Sequence, residues 1–137
     1  MFDTLIIGGG AAGLSCALVL GSAKNKPFAE NKEIAIITHQ KTSHLQNALF
    51  NNVLGLPSAT LGSDILVEGK AQLKTQYPHV SQIENEKVVA VLEDNTEYKI
   101  ITNKRNSQTK KTLKITSAAL ISSLKLAGFV ILMFAFP

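Results

Sequence analysis

The chain has 137 residues, 45% of them hydrophobic and 18% charged, enough for one domain with a core and too few for two full nucleotide-binding domains. This composition excludes a disordered protein, and the single cysteine, Cys16, excludes an internal disulfide or a CxxC redox pair. The net charge of +4 is uneven: up to Glu97 seven lysines meet ten acids, a balance of −3, while from Tyr98 onward six lysines and Arg105 meet no acid, +7, which argues against a basic nucleic-acid-binding domain.

In chain order, Met1-Phe2-Asp3 lacks a basic leader region, so no secretory signal is expected, and the lone cysteine suits a reducing, cytoplasmic setting. Thr4-Leu5-Ile6-Ile7 reads as a strand buried on both faces. Gly8-Gly9-Gly10-Ala11-Ala12-Gly13 follows at once, and Leu14, Ala17, Leu18 and Ala23 then predict a helix. Strand, glycine turn and helix is the order of a dinucleotide-binding βαβ unit. Gly8 would permit the tight turn, Gly10 would let the backbone approach a pyrophosphate, and Gly13 would let helix and strand pack closely. The pyrophosphate would lie on free N–H groups at the positive end of the helix dipole. Cys16, beside Ala17 on this helix, is expected to be a core residue.

A polar loop, Lys24 to Lys32 with Pro27, leads to a second apolar strand, Glu33 to Thr38. An acid near the end of that strand commonly bonds the ribose, and here the position holds Thr38. Next, Ser63 or Asp64 is expected to cap a helix running through Tyr77, with Ile65, Leu66, Val67, Ala71 and Leu73 as its buried stripe. Asn47 and Asn52 suit ordinary turn chemistry, and equally suit a ligand edge carrying both donors and acceptors. Lys87 to Glu93 and Glu97 to Thr102 predict a hairpin around Asp94-Asn95-Thr96. His39, His44 and His79 have no metal-ligand spacing, so no metal site is expected, and no nucleophile–base set stands out.

The glycine fingerprint, so close to the start, resembles the N-terminal FAD-binding fingerprint of flavoproteins with two dinucleotide-binding domains. Gln46-Asn47-Ala48, Asn51-Asn52-Val53-Leu54-Gly55-Leu56-Pro57 and Leu61-Gly62-Ser63-Asp64-Ile65-Leu66 look like the corresponding segment of thioredoxin-reductase-like enzymes. The resemblance covers roughly residues 2 to 100. It implies an α/β Rossmann-like three-layer FAD-binding domain over residues 1–102, with an appended β-hairpin. It further implies that FAD would be held by Gly8, Gly9, Gly10, Ala11, Ala12 and Gly13, with Thr38 in the place of the acid and the flavin toward Asn47 and Asn52. Such enzymes pass a hydride from NADPH through FAD to a disulfide or another acceptor. This chain has no second glycine fingerprint for NADPH, no CxxC and no Ala-Thr-Gly after the hairpin. The resemblance therefore implies a truncated portion of an enzyme, with weak or absent FAD binding and no turnover alone.

From Asn103 the resemblance stops. Residues 103–116 read as a basic linker, and residues 117–137 as an apolar tail. Three readings of the tail stay open. It could anchor a non-catalytic nucleotide-binding protein to a membrane, although Lys125 interrupts the span and the run from Leu126 to Phe136 is short. It could supply a further core strand, since such a sheet needs more parallel strands than the first hundred residues provide. Or it could be the product of a shifted reading frame.

Overall fold

In the computed structural model, the residues described are 1–39, 44–94, 97–104, 106–109, 112–114, 125–126 and 129–130. Strand β1 is Thr4–Ile7, helix α1 is Ala11–Ser22 and strand β2 is Ile34–Ile37. Two short strands, β3 at Leu49–Phe50 and β4 at Thr60–Leu61, close a loop ahead of helix α2, Gly62–Gln76. Strand β5, Val80–Ile83, follows, and then β6 at Val88–Asp94, β7 at Glu97–Thr102, β8 at Asn106–Thr109 and β9 at Thr112–Lys114.

Four of these strands form one parallel sheet in the order β5-β2-β1-β9. The sheet grows outward from β1 to β2 and β5, and then returns to place β9 on the other side of β1. In an open α/β sheet, that reversal marks the place where ligands bind, at the carboxyl ends of the strands. The chain thus has the α/β Rossmann-like architecture expected from its sequence, with the turn after β1 beside the reversal.

Alternation along β1 and β2 builds two cores on the two faces of this sheet. Ile6, Ile34 and Ile36 pack with Leu14, Ala17, Leu66, Leu73 and Val80 under the two helices. Leu5, Ala35 and Ile37 face the other way and meet Ile100 of the antiparallel sheet β6-β7-β8. Each fully buried aliphatic side chain contributes about 1.5–3 kcal/mol, so both faces hold the sheet. At its amino end, the Asp3 carboxylate accepts the Glu33 N–H at 3.0 Å and pairs with Lys32 at 3.4 Å, clasping the starts of β1 and β2.

Several sequence expectations are corrected here. The cap of α2 is Leu61, with no side-chain cap bond, rather than Ser63 or Asp64. Tertiary packing sets this start: the Gly62 N–H donates to the Ala48 carbonyl at 2.9 Å, and a Cβ on Gly62 would overlap the Leu45 carbonyl. The Ser63 hydroxyl instead lies 3.4 Å from the Asp64 carboxylate. The buried stripe of α2 is narrower than expected: Leu66 and Leu73 are buried, whereas Val67 is 65% exposed and Ala71 is also exposed.

The stretch read as a basic linker contains β8 and β9, because pairing with β7 and β1 gives those polar residues a ladder that their own composition does not announce. The additional parallel strands come from Val80–Ile83 and Thr112–Lys114. Within the apolar tail, Lys125–Leu126 pairs antiparallel with Phe129–Val130, and the remaining tail residues lie outside those described. Among the described residues, no helix is long and apolar enough to cross a membrane.

Candidate functional site at the glycine turn

The turn joining β1 to α1 has a conformation that only its glycines allow. Gly8 adopts φ +122°, a backbone region closed to ordinary side chains, while its N–H extends the sheet by donating to the Ile37 carbonyl at 3.0 Å. A Cβ on Gly13 would overlap the carbonyl of Gly8, so this glycine lets α1 pack directly onto the end of β1. Gly10 caps α1 in an extended conformation, and a Cβ there would meet nothing within 4 Å. The space in front of Gly10 is therefore open to a ligand that comes close to the backbone.

The first cap-to-helix bond is donated by Leu14 N–H to the Gly10 carbonyl at 3.0 Å. Helix geometry leaves the amides ahead of it, those of Ala11, Ala12 and Gly13, without intrahelical acceptors. No acidic residue occupies the first turn of α1 and Gly10 offers no side-chain cap, so no anionic group of the helix itself competes there. The arrangement can receive a phosphate-bearing group, which would complete those amides and meet the positive end of the helix.

Thr38 follows β2 directly and is 6% exposed. Its N–H donates to the Ile83 carbonyl at 2.8 Å, and its carbonyl accepts the Glu86 N–H at 3.2 Å, so the end of β5 and the turn after it fix its backbone. A Cβ on Gly9 would come within 2.5 Å of the Thr38 methyl and 2.8 Å of its Cβ. The middle glycine of the triplet is thus empty because Thr38 fills its place. The structure brings the glycine turn and Thr38 together.

Asn47 ends a 3-10 helix, His44–Asn47, and is exposed, as is Asn52 in the following turn. The turn chemistry in this segment belongs to their neighbour: Asn51 Oδ1 accepts the Ala59 N–H at 2.8 Å and the Ser58 hydroxyl at 3.1 Å. This brace holds Ala59 at φ +63°.

Sequence reasoning missed the buried pair beside Thr38. Glu86, 2% exposed, accepts a 2.9 Å hydrogen bond from the hydroxyl of Thr102, itself 6% exposed, and so ties the end of β5 to β7. The polar run Glu84-Asn85-Glu86-Lys87 gives no sign that one of its acids is interior. Cys16 is partly buried against the helical core, and burial pushes its thiol up to about 11 from 9.0. A cleft of about 280 Å³ lined by Lys24, Glu30, Asn31, Lys32 and His79 lies at the amino end of the sheet, away from the glycine turn.

No family profile and no curated protein matches the sequence. The fold, however, is shared with solved oxidoreductases. A thioredoxin reductase from Lactococcus lactis superposes with TM-score 0.71 at 19% identity, over 93% of this chain and 39% of that one. An oxidoreductase from Agrobacterium tumefaciens gives 0.67 at 24% identity, over 82% and 35%. A thioredoxin reductase from Streptococcus pyogenes gives 0.68 at 22% identity, over 83% and 34%. The chain thus spans little more than a third of the length of each of these proteins, and within that span it shares their fold.

Proposed function

We propose that this chain is the FAD-binding portion of a thioredoxin-reductase-like flavoprotein oxidoreductase. Gly8, Gly9, Gly10, Ala11, Ala12 and Gly13 hold the pyrophosphate, Thr38 lies beside the adenosine ribose, and Asn47 and Asn52 face the flavin. The observation that carries the reading is the contrast within one turn: Gly13 is closed by the Gly8 carbonyl, while the space before Gly10 is open at the helix end. Bound FAD would supply the hydride-accepting chemistry, and the chain's own residues would bind and orient it. A site for NADPH and a redox-active cysteine pair are missing from this sequence, so transfer from NAD(P)H to a disulfide or another acceptor needs residues beyond it.

Because the ADP half carries these contacts, ADP and FAD are expected to bind weakly and with similar affinity, read by calorimetric titration. A chain that binds neither at about 1 mM ligand overturns the reading. Gly10→Asp gives a sharper control. An Asp at this cap can accept the helix's own N–H groups, so stability is expected to hold or rise by a few tenths of a kcal/mol. The same carboxylate repels a pyrophosphate, so binding of both ligands is expected to disappear.

A further inference from the structure

The ribose end of the site has an unusual electrostatic character. In dinucleotide-binding units, an acid at the end of the second strand bonds the ribose hydroxyls and opposes a 2′-phosphate, while an arginine nearby accepts one. Here the position holds a neutral residue, Thr38, whose methyl fills the space above Gly9. The acids that follow β5 are both engaged elsewhere. Glu84 is paired with Lys70 at 3.4 Å, and the Glu86 carboxyl is buried and accepts the Thr102 hydroxyl. The first turn of α1 adds no acid.

Resting on the reading of the glycine turn given above, we infer that Gly9 and Thr38 form a neutral ribose end that accepts an adenine nucleotide with or without a 2′-phosphate. Thr38 is here a specificity-determining residue by what it lacks, and Gly9 is what allows it to sit there. Its β-branched side chain and its doubly bonded backbone keep the position closed to rearrangement. Among the described residues, the acids Glu84 and Glu86 are thus engaged elsewhere and Thr38 brings no carboxylate to oppose the phosphate.

The test compares ADP-ribose with its 2′-phosphorylated form by calorimetric titration of the full chain. The wild-type protein is expected to bind the two within about threefold of each other. Thr38→Glu is expected to weaken the phosphorylated ligand relative to ADP-ribose by about tenfold or more, as a carboxylate near a phosphate requires. Thr38→Gln, of similar size and no charge, is expected to keep the wild-type ratio. Gly9→Ala, which drives a methyl into Thr38, is expected to weaken both ligands together, and Gly9→Ala with Thr38→Gly to recover them. A wild-type protein that rejects the phosphorylated ligand by tenfold overturns the inference while leaving the glycine turn's role intact. So does a Thr38→Glu variant, folded by circular dichroism, with an unchanged ratio. If that variant does not fold, the wild-type ratio alone decides. A wild-type chain that binds neither ligand overturns both the inference and the reading it rests on.

Discussion

At the scale of single residues, the turn after β1 is governed by contacts that exist only because side chains are missing. A methyl at position 13 has the carbonyl of Gly8 in its way, and neither backbone segment can yield without separating α1 from the sheet. Gly13→Ala is therefore expected to destabilise the fold by about 1–3 kcal/mol, measured by denaturant unfolding, and to lower ligand affinity with it. Cys16 is governed by burial. Its thiol, held near 11 in the folded chain against 9.0 unperturbed, favours the protonated form on folding. The contribution is present below about pH 9 and is lost as pH rises toward 11, by up to about 2 kcal/mol. Cys16→Ala removes this component, so the difference in unfolding free energy between wild type and variant should shrink across that window. The same burial should make alkylation of the native thiol at pH 8 much slower than that of the urea-unfolded chain.

At the scale of elements, legibility in the sequence follows how much of each element's stability is its own. β1, α1, β2 and the β6–β7 hairpin are readable because apolar periodicity and turn residues coincide with what packs. β5 and β9 are not, since Val-Ser-Gln-Ile and Thr-Leu-Lys become strands through the partners beside them. The start of α2 escapes for the same reason: Ser63 and Asp64 look like caps, but the close approach of Gly62 to Leu45 fixes the first turn. Thr38 is legible as a position and not as a partner of Gly9, because that contact depends on the register Ile7 opposite Ile37. The loop from Asn51 to Ala59 offers an element-scale check. Asn51→Ala removes the acceptor of two hydrogen bonds and is expected to cost about 1–2 kcal/mol. Ala59→Gly, relieving a left-handed alanine, is expected to stabilise the chain by up to about 1 kcal/mol in the same unfolding assay.

At the scale of the whole molecule, one four-stranded sheet is shared by two dissimilar covers, helices on one face and an antiparallel sheet on the other. β9 comes from the most basic part of the chain yet pairs with β1, the strand that carries the glycine turn. Ending the chain after residue 104 strips that neighbour away and leaves β1 as an open edge. Such a chain is expected to unfold at lower temperature and to aggregate with rising concentration, read by light scattering. Unchanged behaviour would mean that β9 adds nothing to the sheet.

The clasp of Asp3 on Glu33 and Lys32 gives the molecule a second use for its geometry. It secures the starts of β1 and β2 where the long connection between α1 and β2 ends, at the end of the sheet away from the glycine turn. That connection is thus a natural attachment point. Doubling its length costs only about 0.6 kcal/mol of closure entropy, so an affinity tag placed between Lys24 and Asn31 would leave the glycine turn untouched.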